Sequence, residues 1–280
     1  MLFGAADRAI TIYTDGYVSA SEFLQLLIPS LLLLGWLCLR PEEDWVSDGN
    51  QQLQMYREET LSPQDEAYLS TAQARMNELQ KQHKISQRYI LPFPYLCQIY
   101  HLLNLKHLEN VHNFSLGNLR VIGISDVKPT AIGGTIRFQT VLDSPMNVLR
   151  IWRQPVVDVN LILHTPYMVE LNVPVYQGKR IIVIFNVLPL VGANHEFLVD
   201  IYSDLEWPKF LLQPVLHFAA CLTLFEDLPY LQRLANRNLL HSFRSSQSAG
   251  HPSMWLFKRF VDLYGATQNA IEPAKPKAIE

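Results

Sequence analysis

Two histidines five residues apart, His107 and His112, lie in the run Asn104-Leu-Lys-His107-Leu-Glu-Asn-Val-His112-Asn-Phe-Ser-Leu-Gly117, and far downstream Leu224-Phe225-Glu226-Asp227 offers adjacent carboxylates. Two imidazoles and one carboxylate on an iron(II) ion leave positions open where dioxygen and a reducing electron meet a substrate. The spacing carries a condition. On an ideal helix residues five apart lie about 140° apart around the axis, so both rings reach one ion only where the helix ends or bulges between them. Asn110 and the β-branched Val111 mark the place for such a break.

Each of these residues also has an ordinary reading. His107 and His112 could be satisfied polar groups at a helix edge, and Asp227 a surface acid paired with Arg233 or Arg237. Glu226 points elsewhere on a helix and is the weaker ligand. His195 follows Val191-Gly-Ala-Asn194 and reads as a surface turn residue, while His164, before Thr165-Pro166, reads as buried at an edge, with a place lining the cavity as the alternative. His217 precedes Asp227 on the same helix but sits about 80° away around it, so the two share no metal.

The elements that must position these groups follow from punctuation and periodicity. Ser62-Pro63-Gln64-Asp65 announces a helix running to about His83, with Tyr68, Leu69, Ala72, Met76 and Leu79 as its only apolar stripe. A second helix is expected over Tyr95 to His107. Strand character recurs over Leu119–Ser125, Gly134–Leu142, Val148–Trp152, Val157–His164, Met168–Pro174, Arg180–Leu188 and His195–Ser203, with Ile132-Gly-Gly134 and Asp143-Ser-Pro145 among the turns between them. After Pro208 a long apolar helix extends from Phe210 to about Asn238, broken only by Pro214 and Pro229, with Leu211, Leu212, Val215, Leu216 and Ala219 as a core stripe. Met254–Tyr264 forms a short helix that Gly265 caps, and a disordered tail follows over 266–280. An antiparallel meander followed by a long helix means an α+β domain. The chain shows no internal repeat and no glycine-rich phosphate loop.

The uncharged stretch Phe23–Leu39 is 17 residues long, the lower limit for a bilayer span at about 1.5 Å per residue. A membrane helix over about 20–40, within an N-terminal segment 1–45, is the expectation; a buried core helix is the alternative. Residues 46–88 then hold a polar linker and one helix. Arg40 and Arg57 against Arg8 place the main domain on the cytoplasmic or stromal side. A formal net charge of -3 with no Lys/Arg-rich run excludes a nucleic-acid partner. The three cysteines, Cys38, Cys97 and Cys221, are scattered and apolar in context, against both a disulfide framework and a cysteine-rich zinc site.

The His107–Gly117 segment resembles the iron-binding motif of Rieske non-haem iron oxygenases, in which an acidic residue, a His three later and a second His five later open the catalytic domain. Phe225-Glu226-Asp227-Leu-Pro-Tyr-Leu-Gln232 is similar to the helix that brings the third ligand, and His251–Gly265 is similar to the tail of the pheophorbide and chlorophyllide oxygenase branch. The resemblance covers about residues 89 to 265, in family order. It implies a helix-grip (START-like) catalytic domain with Fe(II) held by His107, His112 and Asp227. It also implies a hydrophobic substrate such as a tetrapyrrole in a thylakoid or plasma membrane, and assembly into a hetero- or homo-oligomer. Two departures stand out. The acid that bridges to a neighbouring Rieske histidine is Asn104 here; an amide still hydrogen-bonds a ring N–H but adds no charge. The C-x-H and C-x-x-H pairs of a Rieske cluster are absent, so the chain carries no iron–sulfur cluster and a separate Rieske or ferredoxin-type protein must supply electrons. A reading from another class remains open beside it: a metal-free lipid- or pigment-binding domain or assembly factor, since sheet and long helix enclose an apolar space with or without a metal.

Overall fold

The computed structural model describes residues 63–112, 115–116, 119–143, 150, 152–190, 193–236 and 252–268, together with Leu27 and Ser30. Apart from those two positions, the expected membrane helix lies outside the described residues, as do the linker up to 62 and the chain beyond 268. Everything below concerns the unit Gln51–Glu280.

Helix α1 spans Pro63–Leu79, strand β1 His83–Leu91, helix α2 Tyr95–Leu103 and the single-turn helix α3 His107–Asn110. The meander follows: β2 Leu119–Thr130, β3 Gly133–Leu142, β4 Val156–Thr165, β5 Met168–Pro174, β6 Arg180–Pro189 and β7 His195–Ser203. Helix α4, Lys209–Ala235, and helix α5, Trp255–Gln268, close the described chain. All seven strands form one antiparallel sheet in the order β1-β7-β6-β5-β4-β3-β2, so β1 joins the meander at its far end.

The α+β expectation of an antiparallel sheet with a long helix is what the molecule shows, although the second helix ends at Leu103 and not at His107, and four further local differences stand out. The first helix stops at Leu79, and His83–Leu91 is a strand that pairs with β7 along its length. Its mixed sequence, His-Lys-Ile-Ser-Gln-Arg-Tyr-Ile-Leu, hides it because an edge strand leaves polar side chains in reach of water. The strand expected at Val148–Trp152 is absent at its two described residues, where Arg150 and Trp152 lie in turns. Side chains hold this connection instead of a ladder: Arg150 donates to the Leu142 carbonyl at 2.8 Å, and the buried Arg153 guanidinium donates to Thr140 Oγ1 at 2.8 Å. Helix α5 continues through Gly265 to Gln268, so Gly265 lies inside the helix and is not its cap. On α4, Leu212 and Leu216 are buried, whereas Leu211 and Val215 face solvent along with Phe210, Phe218 and Phe225.

Alternation along the strands loads both faces of the sheet. On β6, Ile182 and Ile184 meet Ala72 and Leu79 of α1, with Met168 and Tyr202 beside them. On the other face Ile136, Phe138, Val159, Leu161, Leu163 and Val169 join one core with α2, α4 and α5. The β2–β3 hairpin needs its glycines for close approach: a Cβ on Gly133 would stand 1.9 Å from the Leu163 carbonyl oxygen, and one on Gly134 3.0 Å from the Trp255 ring. Cys97 and Cys221 are free thiols, and Cys38 lies outside the described residues.

Candidate metal centre

Three helices meet at one end of this core. Helix α2 carries His101, α3 opens with His107 and ends at Asn110, and the chain past Val111 presents His112. Helix α4 carries Glu226 and Asp227. The helix break between the two histidines is the one their spacing demands.

The rings of His107 and His112 lie 5.3 Å apart, centroid to centroid, at 75°. His101 lies 4.1 Å from the His107 ring and 6.4 Å from the His112 ring. One nitrogen from each of the three falls within 4.8 Å of the others. Asp227 Oδ1 stands 3.2 Å from His112 Nε2 and 2.9 Å from His101 Nε2. Neither contact is a hydrogen bond: among the described residues, Oδ1 of Asp227 and both ring nitrogens of His101 have no hydrogen-bond partner. All four residues are buried.

That combination fits a metal ion. Atoms that bind one ion at about 2.1 Å stand roughly 3 Å from one another, with their lone pairs aimed at the ion. The alternative, a set of polar groups satisfied among themselves, would align a donor on an acceptor. Here close approach comes without alignment.

Groups behind the rings fix which nitrogen faces inward. His107 Nδ1–H donates to the backbone carbonyl of Asn104 at 2.6 Å, which frees Nε2. His112 Nδ1 lies 3.3 Å from Glu226 Oε2, so an Nδ1–H points at a carboxylate and Nε2 faces Asp227. Glu226 is held by the Ser115 N–H at 3.2 Å and by the Ser115 hydroxyl. Burial, reinforced by the His101 and His112 rings, holds His107 well below the ordinary imidazole pKa, so it presents a neutral ring.

The structure thus brings His107, His112 and Asp227 together. Asp227 faces the imidazoles; Arg233 lines a nearby cleft, and Arg237 lies outside the described residues. The Asn104 side chain accepts the Lys106 N–H at 3.2 Å, and it is the Asn104 main chain that meets His107. His195 corrects the surface reading: it is fully buried, and its Nδ1–H donates to the Phe93 carbonyl at 2.6 Å. His164 sits on the α1 face of the sheet, 2.9 Å from Glu170, and His217 bonds to Gln87 at 3.0 Å, both outside the centre. Glu226, expected to point elsewhere on the helix, instead supports His112. His101 escaped the sequence reading; it lies in the apolar run Tyr95-Leu-Cys-Gln-Ile-Tyr-His101, where a histidine among apolar neighbours was the only available signal.

A cleft of about 230 Å³ reaches this centre from outside. Asn104, His107, Asn110, Glu226, Tyr230 and Arg233 are among the residues that line it.

No family model and no curated protein matches the sequence. Among solved structures, the chain is similar to dicamba monooxygenase bound to dicamba, at 12% identity over 67% of this chain and 59% of that one, with a TM-score of 0.48. It is similar to Pseudomonas putida CBB5 NdmA with caffeine at 14% identity, over 52% of this chain and 42% of that one, with a TM-score of 0.41. Similarity to an 18 kDa protein of Caulobacter crescentus spans 56% of this chain and 97% of that one, at 10% identity and a TM-score of 0.37. The chain therefore spans less than two thirds of the length of dicamba monooxygenase and of NdmA.

Proposed function

We propose that this chain is a non-haem iron oxygenase subunit whose catalytic domain spans residues 89–265, with His107, His112 and Asp227 as the ligands of one Fe(II). One observation carries the reading: His112 Nε2 and Asp227 Oδ1, distant in sequence, lie 3.2 Å apart beside the His107 ring with no hydrogen bond between them. Bound iron(II) would supply the capacity to activate dioxygen. The protein's own groups do the rest. Asn104 and Glu226 hold the two imidazoles in the tautomer that leaves Nε2 free, and burial keeps most of the surface of the three ligands from water. Inserting one oxygen atom into a hydrophobic substrate while the other leaves as water takes two electrons and two protons from outside the chain. A separate Rieske or ferredoxin-type protein is the proposed donor. The cleft at Asn104 is its approach, because the Asn104 carbonyl links that surface to the His107 ring by one hydrogen bond.

A tetrapyrrole substrate and a membrane anchor over residues 20–40, in a thylakoid or plasma membrane with the domain on the cytoplasmic or stromal side, complete the proposal. They rest on the resemblance of the tail and on the apolar run Phe23–Leu39. By length and composition Lys209–Ala235 could also cross a membrane, but it carries buried His217 and Asp227 and packs on β1 and α2.

The test is metal analysis of protein purified without oxygen, followed by dioxygen consumption with a chemical reductant. About one iron per chain is expected, lost in the His107→Ala/His112→Ala/Asp227→Ala variant. Stoichiometric iron persisting in that variant refutes the site. The placement of the Asn104 amide on Lys106, with no acid to bridge, favours the second reading of a metal-free pigment or lipid container; protein free of iron but carrying a bound pigment would establish it.

A further inference from the structure

We infer that His101 is a fourth protein ligand, which makes the centre a three-histidine, one-carboxylate site; the inference rests on the metal centre proposed above. His101 has no exposed surface, and neither ring nitrogen finds a hydrogen-bond partner among the described residues. A buried imidazole carries one donor and one acceptor in its neutral form, and leaving both unmet is costly. What surrounds the ring is not another polar sink: it lies against His107 at 4.1 Å and Tyr230 at 5.2 Å, centroid to centroid. Its Nε2 approaches Asp227 Oδ1 more closely than His112 Nε2 does, 2.9 Å against 3.2 Å. An imidazolium paired with Asp227 would point its N–H at the oxygen, and this contact is not so aligned. A nitrogen whose lone pair is aimed at an ion shared with Asp227 accounts for both the proximity and the misalignment.

The added ligand alters what the centre can bind. On a six-coordinate iron with single-atom ligands, two open positions remain where a two-histidine, one-carboxylate site leaves three. On a four-coordinate ion the same four side chains fill the shell. His101 also differs from its neighbours in having no hydrogen-bond partner behind Nδ1 among the described residues, where α2 and the Tyr230 ring orient it.

The experiment loads the full chain with Fe(II) under nitrogen, adds nitric oxide, and counts coordinated imidazole nitrogens by pulsed electron paramagnetic resonance. Three are expected in the unaltered protein and two in His101→Ala, with iron affinity lowered by about 100-fold or more, at or beyond what losing a supporting partner costs. Two imidazoles in the unaltered protein overturn the assignment of His101 and leave the His107, His112 and Asp227 centre standing. Failure of the unaltered protein to hold iron sinks both readings together. The count on the unaltered chain decides the matter even if His101→Ala does not fold.

Discussion

A histidine ligand depends on the group behind it, and the two rings expected to bind the metal are backed differently. Glu226 faces His112 with its side-chain carboxyl group, so Glu226→Gln is expected to weaken iron binding by about 10- to 100-fold in a chelator competition titration. At Asn104 the contact to His107 is made by the main-chain carbonyl, which every substitution retains. Asn104→Ala should therefore shift iron affinity far less than Glu226→Gln; an equal loss would mean that the amide itself acts on the ring. At this scale much was legible: His107, His112 and Asp227 could be nominated from residue type, spacing and family order. Glu226 and His195 were misread for one reason. Adjacency to a better candidate, or a place beside a turn, says nothing of what packs against a side chain, and here Ser115 and Phe93 decide it.

Among the elements, α1 shows how a polar helix is held to a sheet. Its apolar stripe was visible in the sequence, and Ala72 and Leu79 bury it as expected. The polar clamp was not visible: Arg75 Nε and Nη2 donate to the two oxygens of buried Glu170 at 2.9 and 3.0 Å, and His164 meets the same carboxylate at 2.9 Å. Burial pushes the Glu170 carboxyl up, but the hydrogen bonds from His164 and Arg75 outweigh it and bring it from 4.5 to about 2. A native pKa below the unfolded one means that the clamp stabilises the fold fully above pH 4.5, and that this contribution fades as pH falls towards 2. Protection of the α1 amides from hydrogen exchange, taken relative to the intrinsic rate at each pH, should fall over that interval, whereas Glu170→Gln should be poorly protected at neutral pH with little further change in acid. Strand β1 was missed by the same limit, because its partner β7 lies more than a hundred residues away and its own pattern is that of an edge.

For the whole molecule, metal and fold should reinforce each other, because the candidate ligands come from α2, from α3 and the turn after it, and from α4, and so converge only in the native state. Fe(II) is expected to raise the melting temperature and a chelator to reverse the gain, with no response in the triple ligand variant. The sheet core sets the independent scale: Phe138, fully buried between strands and helices, should cost about 3–5 kcal/mol when replaced by Ala, in metal-loaded and metal-free protein alike. From the sequence alone came the α+β class, most of the meander, the long helix and three of the groups at the centre. Those features are written in local periodicity, turn chemistry and residue type, which act over a few neighbouring positions. Only the tertiary structure added the strand that closes the far edge of the sheet, the clamp under α1 and the third histidine of the centre. Each of these depends on a side chain or backbone from a distant segment arriving within hydrogen-bonding or ligand distance, and no short-range pattern encodes that approach.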